Sequence, residues 1–315
     1  MKGEQVMKNP ILNYYKKLLK ENYPAFIDRY LKVPCLTRLK HICYFCGMDY
    51  ASKDIYNFKE HITRYDHSLT VALLTWNYTH DKLATLAGLF HDVATPYFAH
   101  VIDYMNKDYE TQESTEEYTE HILNADKHLN KLLKADNIDI KDITDFKKYP
   151  IVDNKRPRLC ADRLDGIILT GIGWTKTIRK EDIKSILEDT TVYESEEGNL
   201  ELGFKNPDIA RLAWETSKKI DLFCHSNEDN YMMELLASIT RRGIEINLIS
   251  YENLYSLNED ELLAIFKQSE DKLLKEYLYT FENIKLSDIP ETILSHVKIR
   301  ALNPLISPKA RLFSQ

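Results

Sequence analysis

Residues 86–92 read Leu-Ala-Gly-Leu-Phe-His-Asp and place His91 directly before Asp92 at the end of an apolar helical segment. Burying an imidazole beside a carboxylate in apolar surroundings is costly unless something satisfies both groups. A divalent cation does so in one step, because imidazole nitrogen and carboxylate oxygen are both metal ligands. The dipeptide therefore predicts a metal site at a helix end.

Two more residues elsewhere in the chain can complete the coordination of such a cation. His67 lies in residues 63–69 and Asp162 lies in residues 159–165, and an apolar helical stripe begins after each of them. Four ligands would then converge from three helices. The alternatives are that the histidines are hydrogen-bonded core residues and that Asp162 is a helix cap or an ion-pair partner.

The order of these residues matches the His…His-Asp…Asp pattern of the HD-domain metal-dependent phosphohydrolases, and the chain resembles that family over about residues 25–170. The resemblance implies an HD-domain helical bundle and a divalent metal cofactor. It also implies that the metal ligands are His67, His91, Asp92 and Asp162. Manganese, iron, nickel, cobalt, zinc and magnesium all remain open as the metal.

Within that family, the chain most resembles the branch that contains the deoxynucleoside triphosphate triphosphohydrolases. The similar segments are residues 33–40, 64–69, 89–100 and 161–165. In that branch the region after the HD core supports oligomerisation, so the resemblance also implies a homo-oligomer.

Three positions depart from the pattern of that branch. Thr95 stands where the branch has a histidine thought to assist the leaving group, and a hydroxyl cannot act as a general acid near neutral pH. We expect Thr95 to contact substrate while another group donates the proton, or none is needed. Gly166 and Thr170 stand where the branch has the Tyr and Asp that hold the sugar, so these positions do not predict deoxyribose recognition.

Two arginines are predicted to contact substrate phosphate. Arg64 precedes His67 by three residues, which places both on one helix face. Arg163 follows Asp162 where the resembled branch carries a basic phosphate contact. The alternative for each arginine is a solvated surface charge.

Three further polar residues are candidates for catalysis or binding. Gln112 and Glu113 are similar in position to a His-Glu dyad of many relatives, with Gln112 binding substrate and Glu113 handling water. The same segment also fits a helix cap formed by residues 114–117. His100 is expected either to support the metal site or to bind a second metal, and the alternative is a hydrogen bond to a backbone carbonyl. Asp92, Glu113 and His100 are the predicted catalytic residues.

The predicted reaction is metal-assisted hydrolysis of a phosphate ester or anhydride of a nucleotide, a small-molecule substrate. A cation held by two imidazoles and two carboxylates can polarise a phosphoryl oxygen and lower the pKa of a bound water from ~15.7 towards ~7. A phosphodiesterase for a cyclic or oligonucleotide substrate is the second interpretation. The third is a degenerate nucleotide sensor without catalysis, which the intact ligand set disfavours.

Composition limits the class of protein. Nine glycines and 29% charged residues in 315 favour a predominantly helical fold, and 43% hydrophobic residues can form a sizeable core. The net charge of −7 gives no general attraction to nucleic acid or anionic membranes. No window approaches ~18 consecutive apolar residues, so no membrane span is predicted.

The number and spacing of the cysteines indicate a cellular compartment and do not predict a disulfide framework. Five cysteines are scattered along the chain and no secretory signal precedes them, which indicates a reducing cytoplasm. Cys43-x-x-Cys46 resembles half of a zinc knuckle, but no second Cys/His pair follows at a suitable spacing.

The predicted fold is mainly all-α, with an HD-domain helical core over residues 1–175 and a C-terminal α+β subdomain over residues 176–315. Residues 190–204 predict a short β-hairpin with Gly198 in its turn. The helices are predicted near residues 9–32, 61–79, 82–93, 114–124, 126–135, 158–170, 207–225, 228–242 and 258–278, with a strand at 282–286.

Overall fold

A computed structural model of the chain describes residues 9–110, 118–291 and 297–313. Helices dominate these residues, which confirms the predicted mainly α-helical class. The α-helices are α1 (Pro10–Leu19), α2 (Pro34–Thr37), α3 (Arg64–Thr79), α4 (Lys82–Phe90), α5 (Val101–Asn106), α6 (Thr119–Ala125), α7 (Lys127–Asp136), α8 (Lys141–Thr144), α9 (Ala161–Thr170), α10 (Lys180–Asp189), α11 (Pro207–Cys224), α12 (Asn227–Glu245), α13 (Asn253–Ser256), α14 (Glu259–Gln268) and α15 (Lys272–Asn283). Within the described ranges, none of these helices combines the length and apolar character needed to cross a bilayer.

Helix α3, which carries His67, begins at a capping box. The Asp66 amide donates to Thr63 Oγ1 at 3.2 Å, and the Thr63 amide donates to Asp66 Oδ2 at 2.9 Å. These two bonds satisfy amides that an isolated helix end would leave unpaired. The first turn of α3 is therefore fixed, and with it the position of His67.

Helix α4 delivers the His-Asp pair at its C-terminal end. Asp81 caps the helix by accepting two amides of its first turn, at 2.8 and 3.1 Å. The helix ends at Phe90, three residues before the predicted end, because the Val93 amide bonds three residues back to the Phe90 carbonyl at 3.2 Å. His91 and Asp92 thus lie in a tight turn directly after α4.

Helix α3 lies between two clusters of buried apolar side chains. Ala72 joins the cluster that contains Phe90 of α4 and Leu236 of α12. Leu69 joins the cluster that contains Leu164 of α9. Because α12 follows residue 175 and packs with residues that precede it, the two predicted segments share a core. The boundary at 175 stays a prediction.

A small sheet lies in the C-terminal part of the chain. Its strands, in spatial order, are β1 (Thr190–Glu194), β2 (Leu200–Phe204), β3 (Leu305–Ser307) and β4 (Ala310–Arg311). Strands β1 and β2 are antiparallel with Val192 opposite Leu202, and Gly198 has φ +81° in the turn, which confirms the predicted hairpin. The sequence did not predict β3, which pairs parallel to β2, or β4.

Two predicted elements after residue 257 differ in the structure. The helix predicted over 258–278 is two helices, because Ser269 adopts an extended ψ of 142° and Asp271 then caps α15 by accepting the Leu274 amide at 2.9 Å. The strand predicted at 282–286 is wrong. The Ile284 amide still bonds to the Thr280 carbonyl at 2.9 Å, so helical bonding continues where the strand was expected.

Candidate metal centre and its cavity

The structure brings the four predicted metal ligands together from α3, the end of α4 and the first turn of α9. His67 Nε2 lies 3.0 Å from Asp162 Oδ1 and 3.9 Å from Asp92 Oδ2. His91 Nε2 lies 3.6 Å from Asp162 Oδ1 and 3.7 Å from Asp92 Oδ1. The ligand atoms of both histidines and Asp162 all lie within 4.8 Å of one another. Two imidazole nitrogens and two carboxylates therefore face one small volume.

The far nitrogen of each imidazole is held by an acceptor. His67 Nδ1 lies 2.7 Å from Asp165 Oδ2, and the hydroxyl of Tyr15 donates to the other oxygen of Asp165 at 2.6 Å. His91 Nδ1 lies 2.8 Å from the Gly88 carbonyl. A carbonyl or an ionised carboxylate can only accept, so Nδ1 carries a proton in both rings. Both Nε2 atoms are thereby turned towards the shared volume, as in metal sites with supporting hydrogen bonds.

The environment of His91 Nε2 indicates whether these residues are suited to bind a cation. His91 Nε2 is buried and has no hydrogen-bond partner among the described residues. An unsatisfied buried polar atom costs about 1–3 kcal/mol. A divalent cation bound between the imidazoles and the carboxylates satisfies it, so the donor set fits the metal that the resemblance implies.

The charged side chains of the site shift one another's pKa values. Burial alone would lower the pKa of His67, but Asp162 and Asp165 raise it to about 10. Burial raises the pKa of Asp92, yet His91 and other cationic neighbours hold it well below its usual range. The pKa of Asp162 is likewise lowered against burial, by its contact with His67 at 3.0 Å and by the nearby His91 ring. Both carboxylates are therefore ionised at neutral pH, the form that binds metal.

Arg64 lies at the edge of this centre, one turn before His67. Its Nη1 donates to Asp92 Oδ2 at 3.0 Å, and its guanidinium lies over the ring of Tyr44 at 5.1 Å from the centroid. Its Nε is buried and has no hydrogen-bond partner in the described part of the chain. Arg64 can therefore orient Asp92 and still donate to an anion beside the centre.

The centre opens into a cavity of about 300 Å³ that reaches across the molecule to the C-terminal segment. Aromatic side chains form one part of its lining: Tyr44, Phe45, Tyr56, Phe58, Tyr104, Phe146 and Trp174. Basic side chains form another: Arg64, Arg156, Arg163, Lys298 and Arg300. A cation site, basic side chains and aromatic side chains thus line one cavity.

Arg163 lines this cavity but is fully engaged with the loop that precedes α9. Its guanidinium donates to Asp153 Oδ1 at 3.0 Å, to Asn154 Oδ1 at 2.6 Å and to the Arg158 carbonyl. These contacts hold the loop beside the metal centre. A phosphate contact from Arg163 requires this network to rearrange.

His100 also lines the cavity, and it forms a pair with a buried carboxylate. Its Nδ1 lies 2.8 Å from Asp103 Oδ2, and Asp103 is fully buried. Burial lowers the pKa of His100 even though Asp103 opposes the shift. His100 is therefore neutral near pH 7, with Nδ1–H donated to Asp103 and Nε2 able to accept a proton.

Thr95 lies away from the predicted substrate position. It is buried, it is not among the residues that line the cavity, and its carbonyl accepts from Arg38 at 2.6 Å. Gln112 and Glu113 fall outside the described residues, so their predicted roles stay predictions.

Sequence reasoning missed residues that only the fold brings to the cavity. No local motif marks Tyr44, but a side-chain carbon added at Gly166 would lie 3.3 Å from its hydroxyl. The Tyr44 hydroxyl therefore occupies space that the missing side chain of Gly166 leaves open. Arg300 comes from the far end of the chain, and no local motif marks it.

Comparison with known families identifies the part of the chain that holds the ligands. Residues 64–165 match the HD domain family. This stretch of the chain is therefore similar to HD domains. The matched residues include His67, His91, Asp92 and Asp162.

One curated relative extends well beyond the HD domain. The chain is 25% identical over 260 residues to the uncharacterized protein YdhJ of Bacillus subtilis (strain 168), covering 79% of this chain and 76% of that protein. Neither match singles out the triphosphohydrolase branch of HD proteins. That finer assignment stays a prediction.

Proposed function

We propose that the protein is a metal-dependent phosphohydrolase that cleaves a phosphate ester or anhydride of a nucleotide. The observation that carries this proposal is the convergence of His67, His91, Asp92 and Asp162 at the wall of a cavity whose lining is also basic. Basic side chains beside a cation site suit a substrate with phosphate groups. The HD domain is consistent with this chemistry.

The metal would be held by the two Nε2 atoms and the two carboxylates. When bound, a divalent cation supplies a polarised phosphoryl oxygen and a water of lowered pKa for attack on phosphorus. Arg64 can bind a phosphoryl oxygen while it keeps its contact with Asp92. His100 Nε2 can accept a proton from water, because Asp103 fixes the proton of the ring on Nδ1.

The rest of the cavity supports a nucleotide as the substrate. Its volume of about 300 Å³ lies at the lower end of the range for small-molecule sites. Phe45, Phe58 and Trp174 lie close together, with the Phe45 and Phe58 rings stacked at 4.2 Å. A base can pack on this aromatic surface while the phosphates face Arg156 and Arg300.

A phosphodiesterase for a cyclic or oligonucleotide substrate is the second candidate. Gly166 and Thr170 favour it, because they lack the side chains that hold the sugar in the triphosphohydrolase branch. A nucleotide panel with Mn²⁺, Co²⁺, Zn²⁺ or Mg²⁺ separates the candidates by their products. Tripolyphosphate indicates triphosphohydrolase action, inorganic phosphate released from monophosphates indicates a nucleotidase, and a linear monophosphate released from a cyclic substrate indicates a phosphodiesterase.

The matched variants are Asp162→Ala and Asp139→Ala. Asp162 is a proposed ligand, so its replacement should abolish both metal content and turnover. Asp139 is exposed and distant in sequence from all four ligands, so its replacement should leave both unchanged. Turnover that survives in Asp162→Ala would overturn the site, and tight nucleotide binding without turnover by the metal-loaded protein would favour a sensor.

A further inference from the structure

A second group of ligand-type side chains lies on the opposite side of the backbone from the HD centre. Residues 42–44 pair with residues 62–64: the Tyr44 amide donates to the Ile62 carbonyl and the Arg64 amide to the Ile42 carbonyl, both at 2.9 Å. Successive side chains on an extended segment face opposite directions. Tyr44 lines the HD cavity, whereas Cys43 lines a separate cleft.

Three different ligand types meet in that cleft. The Cys43 sulfur, a carboxylate oxygen of Asp49 and a ring nitrogen of His61 all lie within 4.8 Å of one another. The pairing of residues 42–44 with 62–64 brings Cys43 next to the segment of His61, and the turn after Gly47 brings Asp49 back to both. Cys43 is buried, at 3% exposure.

The ordinary alternative is an ion pair between His61 and Asp49 beside a buried thiol. His61 Nδ1 lies 3.6 Å from Asp49 Oδ1, which is beyond hydrogen-bond distance. Asp49 Oδ2 is buried and has no hydrogen-bond partner among the residues that the structure describes. An ion pair therefore leaves one carboxylate oxygen unsatisfied, and a cation between the three groups would satisfy it.

The chemistry of the set selects the kind of cation. Thiolate, imidazole and carboxylate are the three protein ligands of zinc, with bonds of about 2.0–2.3 Å. Tetrahedral bonds of that length place ligand atoms roughly 3.5 Å apart. The cluster is within 4.8 Å already, so small side-chain rotations close it around an ion.

We propose that Cys43, Asp49 and His61 bind a divalent transition-metal ion, with zinc as the best match, at a site separate from the HD centre. A thiol ligand excludes magnesium and calcium, which take oxygen ligands. Glu259 lies beside Cys43 but is not part of this cluster, because its two oxygens accept the Cys43 amide at 3.1 Å and the Phe98 amide at 3.0 Å. The ion would link His61, in the segment before α3, to Cys43 and Asp49.

This site gives a different meaning to the Cys43-x-x-Cys46 pattern. Cys46 lines the HD cavity and is not part of the second cluster. The two cysteines therefore do not form half of a zinc knuckle. Cys43 instead acts with a carboxylate and an imidazole that follow it by six and eighteen residues.

Cobalt binding tests the proposal without reference to enzyme activity. A thiolate bound to Co²⁺ gives a strong charge-transfer absorption in the near ultraviolet. The proposed HD ligands are imidazoles and carboxylates, so this band reports a thiol. We expect the band in the full-length wild-type protein and its loss in Cys43→Ser, together with loss of one equivalent of cobalt per chain.

Control variants test whether another cysteine, rather than Cys43, provides the thiolate ligand. Cys46→Ser and Cys160→Ser should keep the band; Cys160 is included because it lies with Asp153 and Asp162 in another group of ligand-type side chains. Asp162→Ala should keep the band while losing the HD cation, so failure at one site is distinguishable from failure at the other.

His61→Ala tests the same site in case Cys43→Ser does not fold. Its side chain is 36% exposed, so its removal should leave the fold intact, as circular dichroism will show, and weaken the band at least tenfold at limiting cobalt. A wild-type protein without the band would overturn the proposal. So would a band that persists in Cys43→Ser and His61→Ala, or one that disappears in Cys160→Ser.

Discussion

Replacement of Asp165 by asparagine tests whether His67 is oriented to bind a cation. Asp165 is fully buried and both of its oxygens are used, one 2.7 Å from His67 Nδ1 and the other accepting from Tyr15 at 2.6 Å. The ionised carboxylate keeps the proton on Nδ1 and leaves Nε2 for the metal. Asparagine has nearly the same shape but a single accepting oxygen, so it cannot accept from both partners.

The expected effect is a loss of metal affinity with the fold retained. Removing the supporting partner of a metal-bound histidine typically weakens metal binding by about 10–100-fold, or roughly 1.4–2.7 kcal/mol. Loss of a buried charged hydrogen bond should also lower the free energy of unfolding by about 1–3 kcal/mol. Part of this loss is offset because asparagine, unlike aspartate, buries no charge. Titration of Mn²⁺ against a competing chelator measures the first effect, and urea unfolding of the metal-free protein measures the second.

Tyr15→Phe is the matched control for this experiment. It removes one hydrogen bond to Asp165 but leaves the carboxylate beside His67, so its effect on Mn²⁺ affinity should stay below about tenfold. The reasoning is refuted if Asp165→Asn binds Mn²⁺ as tightly as the wild type, or if Tyr15→Phe weakens binding more than Asp165→Asn does.

Three further predictions follow from other parts of the structure. Arg64→Gln should lower kcat/KM by about 100-fold without loss of bound metal, because it removes a charged donor next to Asp92; equal metal content with unchanged kinetics would contradict this. Gly171→Ala should lower the free energy of unfolding in urea by about 1–3 kcal/mol, because the added carbon would lie 2.3 Å from Ile178 Cγ1, and an unchanged midpoint would refute it. Burial raises the pKa of Asp229 to about 6, so the folded state holds a proton that the unfolded state releases near its ordinary value of 3.8. The stability from this group is complete below pH 3.8 and is lost as pH rises through about 6, by roughly 3 kcal/mol in all, and Asp229→Asn should remove that part of the pH dependence of urea unfolding.

The metal centre could be predicted from the sequence because each ligand lies in its own local pattern. His67 and Asp162 lie near the starts of α3 and α9, and His91-Asp92 follows the end of α4, so short segments suffice to recognise them. Helical periodicity and capping residues act over a few positions, which is the range that a single sequence reveals.

The remainder of the cavity depends on contacts between distant segments. Arg300 and Tyr44 are separated by more than 250 residues, and nothing in either neighbourhood predicts that both line one space. Strand β3 pairs with β2 through Gly203 and Leu305, and a side-chain carbon at Gly203 would lie 2.6 Å from the Leu305 carbonyl. A three-residue strand is too short for alternation to be visible, so only the close approach explains why glycine stands there.

The break between α14 and α15 escaped prediction for a related reason. Apolar spacing continues across Ser269 at nearly the helical period, while the cap formed by Asp271 decides that a new helix begins. A cap within a continuous apolar pattern looks like one exposed polar residue on a longer helix.

An anomalous-difference map from a crystal soaked in Mn²⁺ tests the central claim most directly. We predict a peak about 2.0–2.3 Å from Nε2 of His67, Nε2 of His91 and carboxylate oxygens of Asp92 and Asp162. A map with manganese bound elsewhere on the chain and no density between these four side chains would contradict the account.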